Sequence, residues 1–327
     1  MSQQLVEPVQ ALIDQLLPRP EGEGAFAELA RALRIYPERG GKYLRARITL
    51  LSGQAFAAPQ EQTQVAAAAL EIFQSWVLIH DDIEDGAQSR RGGPALHRIY
   101  GIPLAINVGD ALHGLMWRLL VENRLPMAAL SEFATLVETT ATGQHLELFW
   151  IRNQDFSLDL SDYLKMAAAK SAYYTVIAPL RLGAILAGLE PAPVLNQAGE
   201  LLGIAFQIID DLLSLEGNPN QTGKDPLADL YEAKRTVILL HFLAHSQPEI
   251  AQRAREFLLS PRTAKSEPEA LWLLSALRET GSLTYARQKA QTMAALALAQ
   301  LTPVLGQAPG PHKELLATLT ALVERQA

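Results

Sequence analysis

Residues 61–82, with the sequence EQTQVAAAALEIFQSWVLIHDD, decide which fold the chain is expected to adopt. This stretch is apolar on nearly all sides, which is typical of a helix in the centre of a bundle rather than on its surface. Three further stretches have the same character: SEFATLVETTATGQHLELFW (131–150), YLKMAAAKSAYYTVIAPLRLGAILAG (163–188) and NQAGELLGIAFQIIDDLLSL (196–215). Proline and glycine cluster between such segments, and no convincing strand is found. The sequence therefore predicts an all-α protein with a single domain over residues 1–327.

The composition excludes several classes of protein. Hydrophobic residues make up 49% of the 327 residues and charged residues 19%, which allows a well-buried core. The net charge of −7 argues against nucleic acid as the main partner. Because the chain has no cysteine, disulfides, thiolate metal sites and cysteine nucleophiles are excluded. No signal peptide is recognised, and no apolar run approaches the roughly 18 residues of a membrane span, so we expect a cytoplasmic protein without a membrane span.

Two pairs of aspartates occupy unfavourable positions in the predicted helices. Asp81–Asp82 and Asp210–Asp211 both follow long apolar runs, so they lie near helix C-termini, where the helix dipole disfavours negative charge. Asp85 is four residues after Asp81 and shares its helix face. Carboxylates without histidine or thiolate partners suit a hard cation. The pattern therefore indicates Mg²⁺, which often bridges to substrate phosphates.

Basic side chains are placed where they could complete such a site. Arg90 and Arg91 follow the first acidic cluster, and Lys42 and Arg45 lie in GGKYLR, after a glycine pair that lets the backbone approach a ligand closely. Further lysines on the later part of the chain are Lys170, Lys224 and Lys234. Together with two magnesium sites, these cations indicate a cavity for two diphosphates.

The motifs occur in an order that resembles the trans-isoprenyl diphosphate synthases, the polyprenyl synthetase family. GGKYLRA resembles the Gly-Gly-Lys motif of that family, DDIEDGAQSRRGGPALH its first aspartate-rich motif and FQIIDDLLS its second. AINVGDAL, TGQHLEL and MAAAKSAYYT lie between the two aspartate-rich motifs, GKDPLADLYEAKRT follows the second, and the resemblance runs from about Gly40 to Thr236. It implies a helical bundle around a deep central cavity, the isoprenoid synthase fold. It also implies a homodimer that uses Mg²⁺ to join isopentenyl diphosphate head to tail to an allylic diphosphate.

The resemblance also implies roles for individual residues. The metal ligands would be Asp81, Asp82, Asp85, Asp210 and Asp211. Isopentenyl diphosphate would be held by Lys42, Arg45, Gln74 and Arg91, and the allylic diphosphate by Arg90, Lys170, Gln207, Lys224 and Lys234. The residues expected to act directly in catalysis are Asp81, Asp82, Asp85, Lys170 and Asp210. In the family, cations stabilise the departing diphosphate, and the released diphosphate accepts the proton that is lost at the end, so no protein base is required.

Several positions depart from the family pattern. Ser214 stands where the second motif has its third aspartate, and its hydroxyl could still hold a metal-bound water, so we expect a weakened rather than an abolished metal site. Gln74 stands where many members have histidine, and its amide can donate a hydrogen bond to phosphate. The other departures are Tyr43 for arginine, Ala46 for proline, and Leu227 and Ala233 for glycines.

Residues before Asp81 are expected to set the length of the product. The hydrocarbon tail would extend along the helix that carries Asp81, past Val77 and Trp76, which lie four and five residues before it. A large aromatic residue at the position of Trp76 resembles one class of geranylgeranyl diphosphate synthases. Geranylgeranyl is therefore favoured over farnesyl diphosphate as the product, with a core or interface role for Trp76 as the alternative.

Two other functions remain open from the sequence. A class I terpene cyclase would also ionise an allylic diphosphate at a DDxxD cluster, but it would not need the residues expected to hold isopentenyl diphosphate. A non-catalytic subunit of a heteromeric prenyltransferase would agree with the departures at Ser214 and Tyr43, but not with the five retained aspartates. The active, elongating enzyme is the favoured interpretation.

Overall fold

The structure, a computed structural model, describes residues 2–217, 227–305 and 310–324, most of which lie in helices. The first helices are α1 (Ser2–Leu16), α2 (Ala25–Glu38), α3 (Leu44–Ala55), α4 (Gln60–Glu84), α5 (Leu96–Tyr100), α6 (Ile102–Glu122), α7 (Met127–Arg152) and α8 (Leu160–Ala167). A π-helical segment (Ala168–Ile177) leads into α9 (Ala178–Leu186) and α10 (Pro193–Glu216). The remaining helices are α11 (Ala228–Tyr231), α12 (Val237–His245), α13 (Pro248–Leu259), a 3₁₀ turn (Arg262–Ala264), α14 (Glu267–Glu279), α15 (Ser282–Leu305) and α16 (Pro311–Thr320). The predicted all-α class is confirmed.

Helix α4 is the buried central helix that the sequence predicts. Every residue from 65 to 75 is buried, and the helix packs against α3 and α6. Phe73 is completely buried, which stabilises the fold by about 1.5–3 kcal/mol for a side chain of its size. Helix α10 has a similar place in the other half, where it packs against the π-helical segment and α15. Among the described residues, no helix combines the length and apolarity needed to cross a bilayer.

The π-helical segment has a close neighbour in α7. A Cβ atom added to Gly143 of α7 would lie 2.1 Å from the backbone nitrogen of Lys170. Only glycine therefore lets α7 pack this closely against the segment. Wider helical turns of this kind are frequent at functional sites, and this one carries Lys170.

The expectation that the chain has no strand was wrong at one place. Ser89–Arg90 and Gly93–Pro94 form a short antiparallel ribbon directly after α4. Its turn places Arg91 and Gly92 in the left-handed region, with φ of 51° and 75°, as the common two-residue hairpin turn requires. Arg90 of the ribbon donates hydrogen bonds to Asp82 of α4, and Arg91 donates one of 2.9 Å to the Tyr36 carbonyl of α2.

Candidate active site

One cavity of about 270 Å³ collects most of the residues predicted for the site. It lies between the C-terminal parts of α4 and α10, and α3, α7 and the π-helical segment also contribute to its walls. The predicted residues that line it are Arg45, Gln74, Val77, Asp81, Arg90, Arg91, Lys170, Gln207, Asp210, Asp211 and Lys234. The two acidic helix ends therefore meet at one cavity.

Four predicted residues lie elsewhere. Asp82 is completely buried, and Asp85 lines a neighbouring cavity. Lys42 is exposed. Trp76 lines an apolar cavity beside the polar one. Lys224 falls outside the residues that the structure describes.

Asp81 faces the cavity between two cations. The Nζ atom of Lys170 lies 3.5 Å from Asp81 Oδ1 and donates a hydrogen bond to Glu147 of α7. On the other side, Arg90 Nη2 lies 3.6 Å from Asp81 Oδ2. Burial disfavours the charged form of Lys170, but the carboxylates of Glu147 and Asp81 outweigh it and raise the Lys170 pKa. Lys170 is therefore a stable cation at the cavity wall.

Asp82 turns away from the cavity into the protein. Its carboxylate accepts hydrogen bonds from the Tyr36 hydroxyl and from the Arg90 guanidinium, whose Nε lies 2.8 Å from Oδ1. The same hydroxyl accepts a hydrogen bond of 3.1 Å from the Leu96 backbone N–H. Burial raises the pKa of Asp82, and Arg90 opposes this shift. This geometry favours a role in positioning Arg90 over the predicted role in metal binding.

Lys234 connects the first acidic cluster to the segment after the second. Its Nζ atom lies 2.7 Å from Asp85 Oδ2, 3.0 Å from Glu232 Oε2 and 3.7 Å from Asp229 Oδ1. Burial opposes the charge of Lys234, but these three carboxylates raise its pKa well above the ordinary value. One ammonium group thus neutralises acids from the end of α4 and from the chain around α11.

The second acidic cluster contains a strongly perturbed carboxyl group. Asp211 Oδ2 accepts a hydrogen bond of 2.7 Å from the Tyr163 hydroxyl, and Oδ1 accepts one of 2.7 Å from the Gln207 amide. Burial, together with the charge of Asp229, raises the pKa of Asp211 to about 8. Asp210 lies beside it on the cavity wall. Asp211 is buried whereas Asp210 is partly exposed, so the two aspartates of this pair have different surroundings.

Ser214 has a structural partner rather than a place at the cavity. It is buried, and its Oγ accepts a hydrogen bond of 3.3 Å from the Asp229 backbone N–H. Its carbonyl accepts another, of 3.1 Å, from the Leu227 N–H. The geometry therefore gives Ser214 a partner other than the metal-bound water expected from the sequence. Leu227 and Ala233, at the positions of family glycines, both have φ of 58°, so the backbone keeps the conformation that glycine favours.

The wall predicted for isopentenyl diphosphate has buried polar atoms without protein partners. Arg45 Nη2 donates a hydrogen bond of 2.9 Å to Thr175 Oγ1. Among the described residues, Arg45 Nε and Gln74 Oε1 are buried without a hydrogen-bond partner. Burial lowers the pKa of Arg91, and the carboxylate of buried Glu71 opposes this shift. An unpaired buried donor is costly, so Arg45 Nε at this cavity wall indicates a place for an anionic ligand. Gln74 Oε1 is an acceptor, so it would need a donor rather than a phosphate oxygen as its partner.

An apolar cavity of about 240 Å³ adjoins the polar one. Both cavities are lined by Val77, Asp81, Thr140 and Gln144. Trp76 forms part of the apolar wall, and its ring stacks on the His113 ring with a centroid separation of 4.2 Å. Trp76 therefore lies at a cavity next to Asp81, as the chain-length expectation requires, although it is also packed as a core aromatic.

The donor set of the polar cavity fits a hard divalent cation. Its carboxylates come from Asp81, Asp210, Asp211, Asp229 and Glu147, and no histidine lines it. Oxygen ligands of this kind suit Mg²⁺. Within the described chain, no three acidic or histidine side chains converge on one point. Diphosphate oxygens would have to complete the coordination of a bound ion.

Sequence reasoning missed three residues of this site. Glu147 lies three residues after Gln144 in TGQHLEL, on the same face of α7, so helical spacing could have identified it. Asp229 lies in the quoted GKDPLADLYEAKRT motif but was given no role. Tyr36 is 46 residues before Asp82 in sequence, and no local pattern indicates their contact.

Comparison with known proteins adds independent information. The family profile described as Polyprenyl synthetase matches residues 26–273. Geranylgeranyl pyrophosphate synthase of Geoglobus acetivorans is 31% identical over 319 residues, which cover 96% of this chain and 94% of that protein. Geranylfarnesyl diphosphate synthase of Natronomonas pharaonis is 33% identical over 306 residues, covering 87% and 85%. The crystal structure of geranylgeranyl pyrophosphate synthase from Corynebacterium glutamicum, complexed with isoprenyl diphosphate and magnesium, matches with a TM-score of 0.89, 27% identity and full coverage of both chains.

Proposed function

Because this chain belongs to the polyprenyl synthetase family, with its isoprenoid synthase fold and prenyltransferase activity, we propose that it makes a short-chain all-trans prenyl diphosphate. It condenses isopentenyl diphosphate with an allylic diphosphate, and geranylgeranyl diphosphate is the favoured product. The observation that carries the proposal is a polar cavity lined by the basic residues expected to hold the two diphosphates, called here its first and second walls, and by acidic residues from two helix ends.

The first wall would bind the allylic diphosphate. Arg90 and Lys170 flank Asp81, and Lys234 also lines the cavity, so three cations would be available to one diphosphate. Mg²⁺ bound at the carboxylates would supply further positive charge to the leaving group. The allylic C–O bond breaks with its electron pair passing to the diphosphate, and Lys170 and Arg90 stabilise that charge by hydrogen bonding.

The second wall would bind isopentenyl diphosphate. Arg45, Gln74 and Arg91 supply donors there, and exposed Lys42 remains an expected contact. Lys224, which lies outside the described residues, remains an expected contact of the allylic diphosphate. The double bond of isopentenyl diphosphate donates its electrons to the allylic cation and forms the new C–C bond. The adjacent carbon then loses a proton to the released diphosphate, so the chain needs no base of its own.

Apolar side chains would protect the cation and receive the growing tail. Val77, Leu78 and Phe206 line the polar cavity, and exclusion of water prevents quenching of the cation to an alcohol. The tail would enter the adjoining apolar cavity past Val77, and Trp76 would limit its length. Relatives named for geranylgeranyl and geranylfarnesyl products support a short-chain product.

We also propose that the chain works as a cytoplasmic homodimer. Helix α6 carries four large apolar side chains that are 41–59% exposed in the isolated chain: Ile102, Leu104, Ile106 and Val121. Ile102 and Ile106 are four residues apart and share a helix face, and exposed apolar side chains that lie together mark interfaces in soluble proteins. Sedimentation equilibrium should give twice the mass of one chain, and a monomer at micromolar concentration would contradict this part of the proposal.

The direct test uses purified protein with Mg²⁺, isopentenyl diphosphate and each of dimethylallyl, geranyl and farnesyl diphosphate. A discrete prenyl diphosphate product, sized by chromatography after dephosphorylation, is expected. Formation of a cyclised hydrocarbon without consumption of isopentenyl diphosphate would instead mean a terpene cyclase. Absence of turnover with every primer would indicate a non-catalytic subunit.

A further inference from the structure

Two segments meet at Lys234: the C-terminal end of α4 and the chain around α11. Arg262 and Lys265, which lie outside the recognised motifs, contact these segments. Arg262 begins the 3₁₀ turn after α13, and Lys265 follows that turn directly. We propose that they are positioning residues for the diphosphate site, a pair called here the Arg262–Lys265 brace. The brace holds the end of α4, with Asp85, and the segment that carries Lys234 at a fixed separation. This inference rests on the proposed function for its consequences in turnover.

Arg262 forms the half of the brace that holds α4. Its Nη1 donates hydrogen bonds to the Asp85 backbone carbonyl at 3.3 Å and to Glu232 Oε1 at 3.5 Å. The last carbonyls of a helix lack helical partners and carry the negative end of its dipole. Asp81, Asp82 and Asp85 add further negative charge at the same end. Arg262 therefore stabilises the helix terminus that presents Asp85, and it also orients Glu232, which contacts Lys234.

Lys265 forms the half of the brace that holds α11. Its Nζ donates hydrogen bonds to the backbone carbonyls of Tyr231, at 2.7 Å, and Leu230, at 3.3 Å. Helix α11 spans only four residues, and helices this short have no stability of their own. Burial lowers the pKa of Lys265 to about 8, but the amine also donates hydrogen bonds, so the contact exists in both protonation states.

The space beside the brace is not completely filled by side chains. A cavity of about 290 Å³ lies behind Asp85 and is lined by Asp85, Glu232, Arg262 and Lys265. Leu258 and Leu259 of α13 line the same cavity, so α13 and the two segments enclose a space that side chains do not fill. Where packing leaves such a gap, the separation of Asp85 and Lys234 depends on the hydrogen bonds that span it.

The test compares Arg262→Ala, Lys265→Met and Arg262→Lys with the control Arg253→Ala. Arg253 is an exposed residue of α13 whose guanidinium lies 3.8 Å from the ring centroid of Trp272, away from the site. Binding of Mn²⁺ in the presence of inorganic diphosphate is measured by electron paramagnetic resonance. Michaelis constants for both substrates are measured in parallel.

We expect Arg262→Ala and Lys265→Met to weaken Mn²⁺–diphosphate binding about five- to tenfold, as loss of a charged hydrogen bond implies. KM for the allylic diphosphate should rise by a similar factor and KM for isopentenyl diphosphate by less than about twofold. Arg262→Lys should recover part of the loss, and Arg253→Ala should resemble the wild type. Equal effects on both Michaelis constants, or Mn²⁺ binding like that of the wild type, would overturn the brace. A wild-type protein that forms no product would refute the proposed function, and the Mn²⁺ measurement would still decide on the brace.

Discussion

The hydroxyl of Tyr36, on α2, donates a hydrogen bond to the carboxylate of Asp82, near the end of α4. This contact and the hydrogen bonds from Arg90 engage both oxygens of a fully buried acid. Neighbouring Asp81 faces the cavity instead. The adjacent aspartates of the first motif therefore differ in what they can contact, and they should differ in function.

Substitution of each aspartate by asparagine should separate these functions. Asp81→Asn should raise the Mg²⁺ concentration for half-maximal activity about tenfold, since it removes a cavity-facing carboxylate. Asp82→Asn should leave that concentration within about twofold but raise KM for the allylic diphosphate, because Arg90 loses its anionic partner. Steady-state kinetics with varied Mg²⁺ provide the measurement. A large shift in Mg²⁺ requirement for Asp82→Asn would restore its predicted role as a metal ligand.

The metal-free protein should lose stability as the pH rises towards 8. Burial and the charge of Asp229 raise the pKa of Asp211 to about 8, so the folded state keeps a proton that the unfolded chain loses near pH 4. The stability that this retained proton contributes is complete below about pH 4 and disappears as the pH rises through about 8. Glu232, with a pKa raised to about 7 mainly by burial, acts in the same direction.

Thermal denaturation of metal-free wild type and Asp211→Asn between pH 5 and 9 provides the measurement. Asp211→Asn should show a shallower fall in Tm with pH, while the contribution of Glu232 remains in both proteins. Identical pH profiles would show that Asp211 titrates near its ordinary value in the folded protein.

Ser214→Ala should affect stability more than metal binding. The hydroxyl accepts a hydrogen bond from the Asp229 N–H, and its loss should cost about 1 kcal/mol. The Mg²⁺ concentration for half-maximal activity should stay within about twofold of wild type if the hydroxyl contacts no metal-bound water. A marked increase in that concentration would instead support the role expected from the sequence. Differential scanning calorimetry and Mg²⁺ titration of activity give the two values.

Trp76→Ala should lengthen the product. Removal of the indole would extend the apolar cavity towards His113, where the ring now stacks, and would allow further additions of isopentenyl diphosphate. The control is Trp272→Ala, which removes a partly buried tryptophan of α14 that lines none of the three cavities described above. Product sizing should show longer chains only for Trp76→Ala. An unchanged product would leave Trp76 as a core aromatic.

Local sequence patterns predicted the features of the structure that depend on residues close together in the chain. The apolar run of α4 and the acids at its end follow from helical periodicity, and the ordered motifs identified most of the cavity wall. Contacts between distant parts of the chain were not predictable in this way. The pairing of Tyr36 with Asp82 and of Arg262 with Asp85 depends on how whole helices pack. It cannot be predicted from the spacing of these residues in the sequence. The strand pairs of the ribbon were too short to give an alternating pattern.

The π-helical segment Ala168–Ile177 has a consequence for how this chain tolerates insertions and deletions. Removal of one residue there would let the chain form a regular α-helix, which is locally the more favourable geometry. The same deletion would rotate Lys170 relative to the helices that follow, and it would break the register between Gly143 and the backbone it accommodates. Length changes in this segment are therefore expected to be selected against even when they improve the helix itself.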